Sequence, residues 1–98
     1  MAGLAVRAGK AVFGSAACEK GIRHNKIRLL LLQEGLSPSS KRNFEEMCSR
    51  FGICTLTVNE QTRLGDAVGK PGIMVLGITD KRFADAIRNL MDGGRSKE

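Results

Sequence analysis

Ile27-Arg28-Leu29-Leu30-Leu31-Leu32 is a nearly unbroken apolar run, and its reading decides the fold. A strand exposed on one face alternates apolar and polar residues, whereas a continuous run marks a strand covered on both faces. Two further runs share this character, Ile53 to Val58 and Ile73 to Ile78. Helical patterns lie between and around them. In Ser37 to Phe51 the residues Phe44, Met47, Cys48 and Phe51 follow i, i+3, i+4, i+7 spacing, with Ser37 placed to cap, Pro38 suited to the first turn and Gly52 to the close. After Ile78, Asp80 is placed to cap a helix burying Phe83, Ile87, Leu90 and Met91. A shorter helix is expected over Gln61 to Val68. Another is expected over Ser15 to His24, with Cys18 and Ile22 facing inward. Leu4 to Ala8 reads as a first helix and Ala11 to Phe13 as a very short strand. Phe44, Phe51 and Phe83 are assigned to the core. Strands alternating with helices imply an α/β sandwich with helices on both faces of one sheet.

The chain has 98 residues, enough for one core. We expect a single domain over residues 1–92 and a flexible, glycine-rich tail over 93–98. No run of eighteen apolar residues is present, so no membrane partner is expected. Arg7 and Lys10 interrupt any secretory signal, and the expected location is cytoplasmic. Cys18, Cys48 and Cys54 form no C-x-x-C pair and read as reduced thiols in the core. With one histidine, His24, a zinc site lacks ligands, and no metal or cofactor is expected.

The formal charge is +6 and the isoelectric point about 9.7, which suits a polyanionic partner. The excess is concentrated. Residues 1–28 hold Arg7, Lys10, Lys20, Arg23, Lys26 and Arg28 against Glu19 alone, while residues 29–98 hold ten bases and nine acids.

Motifs for chemistry are missing. The stretch from Gly3 to Ala11 resembles a phosphate-binding loop but has five residues between its glycines, where four are needed, and ends in Ala11 where a hydroxyl belongs. Gly65 to Pro71 has three residues between its glycines and a proline in place of the hydroxyl. His24 is the sole imidazole available to a triad, and the adjacent Glu45 and Glu46 point to different sides of their helix. The expectation is a protein that is not an enzyme, with no small-molecule substrate.

The segment Ser15 to His24 is the informative one. Cys18 and Ile22 define one face, and Ala16, Lys20 and Arg23 fall opposite. Gly14 and Ser15 stand at the N-terminal end, where free N–H groups and the helix dipole favour phosphate. The residues alone fit either such an anion site or an ordinary amphipathic helix with a solvated lysine. The chain has no Trp or Tyr, and only Phe13 is placed either to stack on a base or to pack inward. Shape and phosphate recognition of folded RNA therefore fits better than stacking on single strands.

The ordered set Gly3-Leu4-Ala5, Arg7-Ala8-Gly9-Lys10, Gly14, Lys20, Leu29 to Glu34, Leu64-Gly65-x-Ala67-x-Gly69-Lys70 and Ile78-Thr79-Asp80 resembles the ribosomal L-seven-Ae and L-thirty-e family, most of all its bacterial YlxQ-type branch. The resemblance runs from about Gly3 to Met91. It implies a three-layer α/β/α sandwich around a four-stranded mixed sheet. It also implies binding of structured RNA, typically kink-turns with tandem sheared G·A pairs. Carried over by position, it assigns a first RNA-binding patch to Gly14, Ser15, Ala16, Ala17 and Lys20. A second falls on Leu64, Gly65 and the turn Gly69-Lys70-Pro71-Gly72. The family's archaeal and eukaryotic kink-turn binders carry Asn-Glu where this chain has Ala16-Ala17, so two base-reading groups are gone.

The combined expectation is a monomeric module binding a kink-turn or related bent RNA, ribosomal RNA or the ribosome included. Lys20, Arg23 and Lys70 would neutralise phosphates, with Lys10, Lys26 and Arg28 as further cations. The alternatives are a ribosome-associated component without autonomous kink-turn recognition, and a protein–protein adaptor on the same fold.

Overall fold

The computed structural model describes residues 7–58 and 72–96, with side chains described as far as residue 89. The leucine-rich run becomes the central strand. Among the described residues the chain order is β1 (Ala11–Phe13), α1 (Ser15–Arg23), β2 (Leu29–Gln33), α2 (Pro38–Phe51), β3 (Cys54–Val58), β4 (Val75–Ile78) and α3 (Lys81–Ser96). The sheet order is β1-β4-β2-β3. β1 and β2 both run antiparallel to β4, and β2 runs parallel to β3 through the α2 crossover. The fold is a mixed four-stranded sheet with helices on both faces, an α/β sandwich.

Continuity of the apolar run predicts burial on both sides, and every residue of β2 is buried. Alternate residues feed different cores. Leu29 and Leu31 join Leu76, Ile78, Ala84 and Ile87 beneath α3. Leu30 and Leu32 join Cys18, Ile22, Phe44, Cys48 and Val75 beneath α1 and α2. β3 departs from this expectation. It is an edge strand whose residues are mostly half-buried, with Thr57 exposed, because a sheet neighbour flanks it on one side only.

The helix ends follow their local chemistry. The Ser37 side chain accepts a hydrogen bond from the Ser40 N–H at 3.4 Å, Pro38 opens α2, and Gly52 closes it with φ 70°. The Asp80 carboxylate accepts from the N–H groups of Arg82 and Phe83 at 2.8 and 3.2 Å. Helical backbone then continues through Gly93 and Gly94 to Ser96, beyond the residues that carry the apolar pattern. Two expectations shift. Phe51 is 37% exposed rather than buried, since it is the last residue of α2, beyond the turn that packs Phe44 and Cys48. Ile27 lies before β2 rather than within it. It is 2% exposed, and its side chain fills the space that Cβ atoms on Gly21 of α1 and Gly77 of β4 would occupy. The expected helix over Gln61 to Val68 lies outside the described residues, as does most of the one over Leu4 to Ala8. Among the described residues, no helix is long and apolar enough to cross a membrane.

The three cysteines are free thiols. Cys18 and Cys48 are fully enclosed, and burial pushes their thiols from 9.0 up to about 12 and about 11. Both stay protonated at neutral pH and are poor nucleophiles. With maleimide at pH 8, half-buried Cys54 is therefore expected to react first, and Cys18 and Cys48 only after denaturation. Equal labelling of all three in the native protein would contradict this packing. The linkage has a definite sign. Between about pH 9 and 12 the unfolded chain has lost thiol protons that the folded chain keeps, so stability falls as pH rises through that window. Urea midpoints measured from pH 7 to 11 check it.

Candidate RNA-binding surface

α1 starts where β1 ends. Gly14 sits between them with φ 84° and ψ 163°, a conformation open essentially to glycine alone. Its N–H donates to the Val75 carbonyl at 3.0 Å and its carbonyl accepts from the Cys18 N–H at 3.0 Å, so the start of α1 is pinned to the start of β4. The next three N–H groups, on Ser15, Ala16 and Ala17, have no acceptor among the described residues, and no side chain caps this end. All three residues are exposed. Bare amide donors on small residues form a surface that a phosphate or a ribose edge can approach closely.

Lys20 stands one turn further along the outer face. It is exposed and belongs to no ion pair among the described residues. Beside it an open groove of about 300 Å³ is lined by Ala16, Glu19, Lys20, Arg23 and His24. Cys18 and Ile22 anchor the opposite face at 0% exposure, which fixes the rotation of α1 and turns this groove outward. Arg23 behaves differently from Lys20. Its guanidinium lies 2.9 Å from the Glu19 carboxylate, an exposed i, i+4 pair worth about 0.3–0.5 kcal/mol. Its charge is partly answered within the protein. Glu19 is the groove residue that sequence reasoning passes over, although its spacing from Arg23 is the available signal. Phe13 is half-buried and packs against the core beneath α3, the inward alternative of the two readings.

Of the expected second patch, Gly72 alone is among the described residues, and it precedes the start of β4. Gly72, exposed with φ 88°, lies three residues before Val75, the residue that receives the Gly14 N–H. Gly14, Ser15, Ala16 and Ala17 thus share one end of the sheet with Gly72. Leu64, Gly65, Lys70 and Pro71 lie outside the described residues.

Known proteins share both this fold and this sequence pattern. The pattern of the Ribosomal protein L7Ae/L30e/S12e/Gadd45 family matches residues 2–87. The chain belongs to this family. Two curated relatives agree over nearly their whole length. The RNA-binding protein YlxQ of Bacillus subtilis (strain 168) is 32% identical over 90 residues, covering 92% of this chain and 90% of that protein. The RNA-binding protein YlxQ of Enterococcus faecium is 28% identical over 91 residues, covering 93% and 87%. Among solved structures, a protein of unknown function from Bacillus halodurans superposes with a TM-score of 0.88 at 26% identity, over 93% of this chain and 92% of its own. In this L7Ae/L30e-family chain, Ala16 and Ala17 expose methyl groups beside the free amides, at the two positions where the resemblance leads one to expect Asn and Glu.

Proposed function

We propose that this chain is a non-enzymatic, monomeric module of the cytoplasm that binds structured RNA. The RNA is a kink-turn or a related bent or bulged element, ribosomal RNA included. One observation carries the reading: three amides on Ser15, Ala16 and Ala17, unpartnered among the described residues, lie one turn from Lys20, which is unpaired among them too, in a chain whose relatives are named RNA-binding proteins. The amides take a backbone phosphate, and Lys20 and Arg23 take the next along the strand. By resemblance, Leu64, Gly65, Lys70 and Pro71 also contact the RNA. Ala16 and Ala17 add closeness rather than base reading, so shape dominates recognition.

Titration with fluorescently labelled kinked, bulged and plain duplex RNAs tests this. The kinked or bulged RNA is expected to bind at least about ten-fold more tightly than the duplex. Equal, weak association that salt erases for all three would overturn the proposal. In the same assay Ala16→Asn/Ala17→Glu is expected to sharpen the preference for the kink-turn, because a good hydrogen-bonded pairing with a base is worth about 1–3 kcal/mol.

A further inference from the structure

A second set of cations gathers at the opposite end of the sheet from Gly14. The registers align Ala11 of β1, Ile78 of β4 and Leu29 of β2 in one row. One residue outward, the Lys10 carbonyl accepts from the Thr79 N–H at 2.8 Å, and the Arg28 N–H donates to the Ile78 carbonyl at 2.7 Å. Lys10 and Arg28 therefore flank the end of β4 on its two sides, about 10 Å apart across two strand spacings. Lys26 enters the same end, its N–H bonded to the Gly21 carbonyl at 2.9 Å. Lys81 and Arg82 open α3 immediately after β4.

All five side chains are exposed, and none makes an ion pair among the described residues. The two carboxylates nearest in sequence, Asp80 and Asp85, still leave a net charge of +3 here, five cations less two. Asp80 is occupied with two N–H groups of its own helix, and Asp85 pairs with none of the five. Such an accumulation of one sign raises the local potential, which a mixed surface would avoid. α1 connects the two ends. Its nine residues span about 13 Å, from the free amides at Ser15 to His24, which is followed by Asn25 and Lys26.

We infer that this end of the sheet is a second RNA-contacting surface, which holds the phosphate backbone of a stem flanking the element bound at α1. The inference rests on the RNA-binding reading above and extends its footprint by about 15 Å, the length of a strand of this sheet. Duplex backbone is the fitting occupant. The five cations have no aromatic ring among them, and the exposed Phe51 that ends α2 ahead of β3 is a single ring, where stacking of unpaired bases takes several. Contacts to phosphate through Lys and Arg alone position a stem without reading its sequence.

A plain RNA duplex of about two helical turns is the probe, because it carries no kink and isolates this surface. Lys10→Glu/Arg28→Glu is compared with Lys41→Glu/Arg42→Glu on α2, which changes the net charge equally. The first variant is expected to lose about ten-fold in duplex affinity and to lower the slope of log K against log salt by about 2. The second is expected to stay within about two-fold of the unaltered protein. Equal losses from both pairs would show diffuse attraction and overturn the inference. So would a loss of binding to phosphatidylserine-containing vesicles by the first variant with duplex affinity unchanged. Circular dichroism of both variants establishes that they fold. Failure of the α1 proposal would be read separately, as absence of any preference for kinked over plain RNA in the unaltered protein.

Discussion

Lys20→Glu is expected to weaken binding of the preferred structured RNA by about 10- to 100-fold. That range corresponds to loss of a charge-assisted hydrogen bond to phosphate, about 1.5–3 kcal/mol, at 1.4 kcal/mol per factor of ten. The lysine is the right place to test because its fold contribution is small. It is exposed and, among the described residues, unpaired, on the face of α1 opposite Cys18 and Ile22, so the thermal midpoint should move little. Lys41→Glu, on α2, carries the same change of charge to a helix assigned no part in the site and should alter affinity by less than about two-fold. Arg23→Glu should fall between them, since its partner Glu19 already answers part of its charge. If Lys20→Glu and Lys41→Glu lose equally, affinity reflects net charge and the assignment of the α1 surface is wrong.

The largest effect on stability is expected at Ile27. Ile27→Ala should cost about 2–5 kcal/mol, against a total of about 5–15 kcal/mol for a native domain. The side chain is a plug. A Cβ on Gly77 would come within 2.6 Å of Ile27 Cδ1, and one on Gly21 within 2.9 Å, so two glycines on different elements leave the room that this residue fills. Truncation opens a cavity beneath α1, between the elements that hold the RNA-binding helix in place. A fall in the urea midpoint with an unchanged m-value is the expected reading. The reciprocal change is informative. Gly77→Ala in the native background must push against Ile27, Val12 and Cys18 and should cost about 1–3 kcal/mol. In the Ile27→Ala background it should cost less, because the closest contact, with Ile27, is gone and that with Val12 remains. A double-mutant cycle giving additive losses would show that the two residues do not share that space.

Several elements could be read directly from the chain because each depends on local or periodic chemistry. Ser37, Pro38 and Gly52 mark α2 to within a residue, and Asp80 caps α3 with its own side chain. The four leucines of β2 announce a strand covered on both faces. Cys18 and Ile22, four residues apart, were sufficient to orient α1 and hence to place Ala16, Lys20 and Arg23 outward. Ile27 misled because an apolar residue next to an apolar strand looks the same whether it continues the strand or turns aside to fill a gap. Phe51 misled because helical periodicity carries no information about where the neighbouring layer stops. The order β1-β4-β2-β3 was not legible in the chain, since pairing between Ala11 and Ile78, 67 residues apart, leaves no local trace.

What the sequence determined by itself was therefore the α/β class, the caps and inward faces of its helices, and a cationic first quarter, all of which depend on residues within a few turns of one another. Tertiary structure alone decided that the Gly14 amide bonds to Val75, which sets the free end of α1 at the end of the sheet where β4 begins, three residues after Gly72. It also decided that Lys10, Arg28 and Arg82, remote along the chain, emerge at a common end of the sheet. The reason is physical: strand pairing joins residues across long loops through backbone hydrogen bonds that nearly any side chain permits, so the partners are chosen by the packing of the whole.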